Sequence, residues 1–232
     1  MPEEHSLNIY FAGELFTHKD LAGNALLAEA ISDLSEQRYC CVLPQNLSRP
    51  DSQPHQLRDQ NILNLLESDL ALFCFDGTEL ESGLVAEYLI AKFADIPSVI
   101  VRTDFRFGAA HREDDFPWNP MVCFYPRTEV EIIDAMSVYQ NIFQEFPWTD
   151  AADMLIEKRC SDVAKTMVRV VSQAVVDAFD RVLESSPRME ATQAEAVYSW
   201  LALMPGFQMD TERAKNVMKQ ALARKRARGL LA

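Results

Sequence analysis

Carboxylates gather in one short stretch of the chain, between a buried apolar run and the helix predicted to follow it. Asp76, Glu79 and Glu81 lie in this stretch, and Glu87 comes about one turn into the helix. With Ser82 as the predicted N-cap, the free amides of the first turn and the helix dipole favour the ionised form of Glu87. An ionised carboxylate placed there suits a nucleophile. The same pattern also fits a solvated acidic loop followed by an ordinary acid at a helix start.

The carboxylates are the catalytic candidates because the sequence carries no signature of the common alternatives. It has no GxGxxG opening a helix, no GxxxxGK[ST], no GxSxG and no HExxH. The four histidines lie far apart and the five cysteines lack CxxC spacing, so neither a metal site nor a cofactor is expected. Carboxylate chemistry on a small molecule indicates glycosyl transfer, in which an oxocarbenium-like centre is trapped as an ester. A second acid would then assist the departing group.

The elements that must position these acids follow from five short apolar runs, each predicted to be a strand buried on both faces. The runs are Leu7–Ala12, Tyr39–Leu43, Asp69–Phe75, Ser98–Val101 and Met121–Tyr125. Segments of helical period lie between them, and strands that alternate with helices form parallel sheets. The predicted fold is α/β, a doubly wound, flavodoxin-like, parallel five-stranded sheet. Ligands bind such sheets beyond the carboxyl ends of the strands, so the site is expected near Gly13, Pro44, Asp76 and Thr103.

The second half of the chain changes character, because long amphipathic helices replace the alternating pattern. Helices are predicted over roughly 130–146, 151–185, 191–204 and 210–228. The predicted division is therefore an α/β catalytic domain over 1–128 and a helical extension over 129–232. We expect the extension to pack on the core and on a neighbouring subunit. A basic run closes the last helix, where the helix dipole favours cations; the run is Arg224, Lys225, Arg226 and Arg228.

The net charge and the composition limit the classes of partner that the protein is expected to bind. A formal net charge of −13 over 232 residues repels nucleic-acid phosphates and anionic lipids, so neither nucleic acid nor membrane is an expected partner. A small neutral substrate fits better. The acidic start of the chain lacks a signal-peptide pattern, and no apolar stretch has the length of a membrane span. We expect a cytoplasmic protein with reduced cysteines.

Taken together, the motifs resemble the nucleoside 2-deoxyribosyltransferase family. The resemblance covers about the first 125 residues and rests on their order and spacing. The matching stretches are Ile9-Tyr10-Phe11-Ala12-Gly13 with Phe16, the block from Ser68-Asp69 through Ser82-Gly83 to Glu87-Tyr88 and Ala91, and Asn119.

The resemblance implies a role for each matching residue. Glu87 would be the nucleophile, with Tyr10 holding its carboxylate, and Glu81 would contact the base and assist its protonation. Phe16 would pack on the base, although a plain core residue fits equally. The sugar and base would be bound by the remaining matches, which are Gly13, Asn61, Asp76, Ser82, Gly83 and Asn119.

The implied reaction moves 2-deoxyribose between nucleobases in a ping-pong cycle, so deoxynucleosides and free nucleobases are the expected partners. Asn119 would reach into a neighbouring subunit's site, which implies a homo-oligomer. Two departures stand out: Glu81 replaces the family's usual aspartate, and the chain continues about a hundred residues past the last strand. The segment from Arg102 to Gly108, followed by Arg112 to Asp115, fits either a lid over the base or a surface loop.

Two other functions stay open. One is a deoxynucleoside 5'-monophosphate N-hydrolase, a related enzyme that needs a cationic or serine-rich cradle for the phosphate. Glu14, just after Gly13, argues against such a cradle. The other is a nucleoside-binding or nucleotide-binding protein that has lost catalysis and uses its helices for assembly.

Overall fold

Five parallel strands form one sheet in the order β2-β1-β3-β4-β5. The computed structural model describes residues 6–47, 53–104, 119–145, 156–204 and 207–232, without the side chains of 156–159. The strands are β1 (Leu7–Ala12), β2 (Tyr39–Val42), β3 (Leu70–Cys74), β4 (Ser98–Arg102) and β5 (Thr128–Ile132). This strand order confirms the predicted flavodoxin-like sheet, and the order reverses between β1 and β3.

Helices cover both faces of the sheet. Within the described ranges they are α1 (His18–Leu34), the short α2 (Pro44–Leu47), α3 (Pro54–Glu67), α4 (Ser82–Phe93), α5 (Ala135–Glu145), α6 (Ile156–Leu183), α7 (Ala191–Leu201) and α8 (Thr211–Ala227). Helix α1 starts in a capping box, in which the Thr17 hydroxyl and the Asp20 carboxylate each accept a hydrogen bond from the other's backbone N–H. None of the described helices combines the length and the apolar composition needed to cross a bilayer.

The strands alternate their side chains between two hydrophobic cores. Tyr10, Ala71 and Phe73 face a core shared with α3, α4, α7 and α8. Ile9 and Leu72 face the opposite core, which α1 and α6 complete. This alternation of period two decides which side chain of β1 can meet α4. Helices from the second half of the chain contribute to both cores, and the predicted boundary between 128 and 129 falls inside β5.

The last strand lies later in the chain than predicted. Met121–Tyr125 is not a strand: Phe124 is 83% exposed and has a positive φ of 67°. The strand is Thr128–Ile132, in which acids alternate with apolar residues. It is an edge strand covered on one face, where Arg181 of α6 pairs with Glu129 and Glu131. An apolar run predicts strands buried on both faces, so the prediction missed this half-covered edge strand. The helix predicted over 130–146 starts instead at Ala135.

The basic run of α8 lies against the amino edge of the sheet, opposite the predicted site. Arg228 donates to the fully buried carboxylate of Asp69, and Lys225 donates to the backbone carbonyl of Ser68. Arg224 donates to the carbonyl of Glu67. Desolvation lowers the pKa of Lys225 to about 7, and nearby Asp69 opposes that shift. These cations therefore fasten α8 to the sheet, a role that the helix dipole alone did not predict.

Candidate functional site

Tyr10 and Glu87 meet where the strand order reverses. The Tyr10 hydroxyl donates a 2.9 Å hydrogen bond to Oε1 of Glu87. Tyr10 is fully buried near the carboxyl end of β1, on the face that packs against α4. Glu87 lies in the second turn of α4, and its side chain is half-buried. The fold thus brings together the two residues predicted to share the nucleophile's role.

Burial sets the electrostatics of Glu87. Desolvation raises the pKa of its carboxyl to about 7; the hydrogen bond from Tyr10 opposes this shift, and the nearby Glu81 charge adds to it. The expectation that the helix start favours the ionised form is therefore wrong in direction, because removal of water outweighs the helix dipole. Near neutral pH the carboxyl of Glu87 is divided between its two protonation states.

Glu81 is the N-cap of α4. Its Oε2 accepts a 2.8 Å hydrogen bond from the backbone N–H of Leu84. The prediction that Ser82 is the N-cap is wrong: Ser82 is the first helical residue and is exposed. Gly83 leaves the space that this cap needs, because a Cβ there would lie 2.8 Å from Oε2 of Glu81. Oε1 of Glu81 takes no part in the cap.

Asp76 joins the ends of two neighbouring strands. Its Oδ1 accepts a 2.5 Å hydrogen bond from the backbone N–H of Thr103, and its Oδ2 accepts one of 2.9 Å from the Thr103 hydroxyl. Both carboxylate oxygens therefore serve the link from the end of β3 to the end of β4. The structure gives Asp76 this positioning contact, and its predicted contact with the substrate stays a prediction.

Two further side chains after β4 hold the acidic loop. Arg102 is buried and donates to the carbonyls of Phe75 and Gly77, at 2.5 and 3.3 Å. Asp104 accepts from the N–H of Gly77, whose φ of +93° suits glycine. Sequence reasoning missed these two roles and that of Thr103. The available signal was a polar run directly after a strand that neighbours β3. The proposed lid lies outside the described residues over 105–118, and Arg102 belongs to β4.

Glu14 adds a further carboxylate to this edge of the sheet. Its pKa is raised, first by desolvation and then by the charges of Asp20, Asp76 and Glu81. Since Glu81 also acts on Glu87, the acids form a continuous group across the carboxyl edge. The potential there is strongly negative, which disfavours anionic ligands.

The remaining predicted residues lie around this group. Gly13 is where β1 passes close to α1: a Cβ there would lie 3.1 Å from Oδ1 of Asn24. Phe16 is 75% exposed in the loop before α1, so it does not belong to the core. Asn61 is half-buried on α3, which packs against α4. Oδ1 of Asn119 accepts a hydrogen bond from the N–H of Met121, and the reach of Asn119 into another subunit stays a prediction.

A cavity of about 380 Å³ opens beside the acids on the face covered by α1 and α6. Glu14, Asp20 and Asp76 line it together with apolar side chains such as Val101. Glu87 and Tyr10 lie on the other face of the sheet and are not among its lining residues. The cavity and the Tyr10–Glu87 pair therefore lie on opposite faces of the sheet.

Comparison with known proteins gives a structural likeness without a named activity. No family model and no curated protein matches the chain. One solved structure that resembles it is a conserved protein from Enterococcus faecalis V583, with a TM-score of 0.46 and 19% sequence identity. The match covers 76% of this chain and 98% of that chain. The description of that protein states no substrate and no reaction.

Proposed function

We propose that the chain is a nucleoside 2-deoxyribosyltransferase that works through a covalent ester on Glu87. The observation that carries the proposal is the hydrogen bond from Tyr10 to Oε1 of Glu87 at the strand-order reversal. This bond fixes one carboxylate oxygen and leaves Oε2 to attack. A positioned nucleophile at this point of a doubly wound sheet lies where such folds bind ligands.

The reaction has two balanced halves. Oε2 of Glu87 bonds to C1' of the deoxynucleoside while the C1'–N bond breaks, and the departing base keeps the electron pair and takes up a proton. A nitrogen of the second base then attacks C1' and loses a proton, and the ester oxygen leaves as the carboxylate. Two inversions restore the starting anomeric configuration, and the kinetics are ping-pong. Glu81 assists the base through Oε1, since its Oε2 caps α4.

Burial of Glu87 favours ester formation. The desolvation that raises its pKa to about 7 acts against the charged carboxylate. An ester has no charge, so the penalty disappears when the bond to C1' forms. The neighbouring Glu81 adds negative potential that stabilises the positive charge of an oxocarbenium-like transition state. The same environment thus destabilises the free anion and stabilises the reacting sugar.

The acids also select the substrate class. A deoxynucleoside 5'-monophosphate would bring its phosphate into the field of four acids, Glu14, Asp20, Asp76 and Glu81. The pKa of Glu14 is raised first by desolvation and then by the charges of the other three. Of the described residues at this edge, Arg102 is a buried cation, and its guanidinium donates to two loop carbonyls. A neutral deoxynucleoside avoids the repulsion. These contacts favour transfer over hydrolysis of a nucleotide.

Incubation with 2'-deoxyinosine and free adenine tests the activity. Transfer yields deoxyadenosine and hypoxanthine. Cleavage of a deoxynucleoside monophosphate without transfer would assign the hydrolase, and binding without turnover would assign a non-catalytic binding protein. Omission of the acceptor base traps the intermediate, so the intact mass should increase by one deoxyribosyl group.

Matched variants locate the nucleophile. Glu87→Ala should lose both the mass increase and the transfer, whereas Glu79→Ala, an exposed acid of the preceding loop, should keep both. Full transferase activity in Glu87→Ala would overturn the assignment. The predicted homo-oligomer is tested by mixing Glu87→Ala with Asn119→Ala: sites completed by two subunits would regain activity in the mixture, and sites within one subunit would not.

A further inference from the structure

The cavity on the α1 and α6 face has apolar walls. Helix α6 supplies Ala164, Met167, Val168 and Val171, and they face Leu27 of α1 and Val101 of β4. Helix α6 follows the part of the chain that carries the family resemblance, so the sequence motifs do not describe this wall of the cavity. Its volume of about 380 Å³ lies within the range of small-molecule sites.

The mouth of the cavity carries more acids than bases. Among the described residues that line it, Glu14, Asp20 and Asp76 are acidic and Lys19 is basic. The carboxylate of Asp20 already accepts two hydrogen bonds from Thr17, at 2.8 Å each.

The carboxylate of Glu14 has hydrogen-bond acceptors that no described residue uses. Both oxygens of Asp76 are bonded to Thr103. By contrast, no described residue donates a hydrogen bond to the carboxylate of Glu14. An ammonium group next to Glu14 would find a free acceptor and a favourable potential.

We propose that this cavity binds a small organic amine, with its ammonium group beside Glu14 and its apolar body between α1 and α6. An alkyl or aryl chain fits the walls, and the positive charge complements the mouth. The proposed amine site is distinct from the nucleophile, because Tyr10 and Glu87 do not line the cavity; Asp76, a predicted substrate contact, borders both. It gives α6 a role in ligand binding besides its packing on the sheet.

The direct test is titration with 2-phenylethylamine, followed by calorimetry and by methyl NMR of Met167, which lines the cavity. The neutral 2-phenylethanol and the anionic 3-phenylpropionate serve as matched probes of similar size. We expect saturable binding of the amine with a shift of the Met167 methyl signal, weaker binding of the alcohol and none of the acid. Equal binding of amine and alcohol would assign an apolar pocket without cation selectivity and overturn the proposal.

Three variants place the ligand. Ala164→Phe, at an exposed wall position of α6, should fill the cavity and abolish binding of the amine. Val170→Phe adds a ring to the same helix outside the cavity and should change nothing. Glu14→Gln should weaken amine binding about fivefold, as expected for a partly exposed charge pair. Unchanged binding in Ala164→Phe would overturn the proposal.

Glu87→Ala separates the two proposals. It should bind 2-phenylethylamine like the unchanged protein while losing transfer, because Glu87 lies outside the cavity. Loss of amine binding in Glu87→Ala would show that the amine occupies the nucleophile's space and would contradict a separate site. Normal amine binding in a protein without any transferase activity would leave this inference standing and remove the proposed function alone.

Discussion

The hydroxyl of Tyr10 and Oε1 of Glu87 lie 2.9 Å apart, although 77 positions separate the residues in the sequence. The contact exists because β1 and β3 are neighbours in the sheet, and α4 follows β3 and packs back on the face that Tyr10 occupies. The hydrogen bond lowers the pKa of Glu87 against the larger, opposite effect of burial. The activity of the site should therefore depend on this one hydroxyl.

Tyr10→Phe should raise the pKa of Glu87 above its value of about 7, because the hydrogen bond that favours the carboxylate is removed. The nucleophile must be ionised, so kcat/KM of the transfer reaction falls at low pH. In Tyr10→Phe this fall should begin at a higher pH than in the parent protein. The measurement is a pH profile of both proteins. Tyr198→Phe also removes a buried tyrosine hydrogen bond, to the carbonyl of Ala94, and should leave the profile unchanged.

Glu87→Gln should stabilise the protein at high pH. The folded state raises the pKa of this carboxyl from its ordinary 4.5 to about 7, so folding favours the protonated form. Stability is lost as pH rises between these values, and the loss is complete above about pH 8, at roughly 2–3 kcal/mol. Urea unfolding at pH 4 and pH 8 should show the variant equal to the parent at pH 4 and more stable at pH 8. Glu184→Gln, at an exposed position, should show no such difference.

Gly83→Ala should displace Glu81 with little change in stability. The new Cβ would lie 2.8 Å from Oε2 of Glu81, and the carboxylate can swing away. The lost cap costs about 1 kcal/mol, which the better helix propensity of alanine largely offsets. Transfer should slow if Glu81 assists the base. In a double-mutant cycle, Gly83→Ala should not slow transfer further in a protein that already carries Glu81→Gln. Additive effects on the transfer rate would contradict this coupling.

Asp69→Asn should cost about 3 kcal/mol in the free energy of unfolding, because the half-buried Arg228 and Arg224 lose the charge of a fully buried partner. Arg38→Gln breaks the Arg38–Asp180 pair, whose side chains are 47% and 45% exposed, and should cost less than about 1 kcal/mol. Urea denaturation of the two variants gives the comparison. Similar losses in both would mean that burial does not decide the strength of these pairs.

The buried part of the sheet could be predicted from sequence alone. β1 to β4 are continuous apolar runs, and each was placed within one residue at either end. The prediction failed at β5, because Thr128–Ile132 is covered on one face and carries acids that pair with Arg181. Met121 and Phe124 are apolar yet exposed, so hydrophobicity marked the wrong segment. β2 is also an edge strand, but its sequence is apolar and the pattern identified it. Apolar patterns therefore miss an edge strand only when acids interrupt it, as in β5.

The sequence predicted which residues form the candidate site better than it predicted their contacts and burial. The family resemblance placed Tyr10 beside Glu87, and the fold brings the two side chains together. The direction of the Glu87 pKa shift was wrong because desolvation depends on packing from α3, α4 and the sheet, which spacing along one helix does not describe. The capping role of Glu81 was missed because serine is the more common N-cap.

The contact between Asp69 and Arg228 at the amino edge of the sheet has a consequence for synthesis of the protein. Asp69 leaves the ribosome 159 residues before Arg228, the cation that contacts its carboxylate. Until Arg228 is synthesised, the sheet of the nascent chain is partly uncovered and Asp69 lacks its cationic partner. Chaperones would have to shield the nascent chain during this time. A frameshift or stop codon ahead of α8 should therefore give a product that proteases remove, rather than a shorter working enzyme.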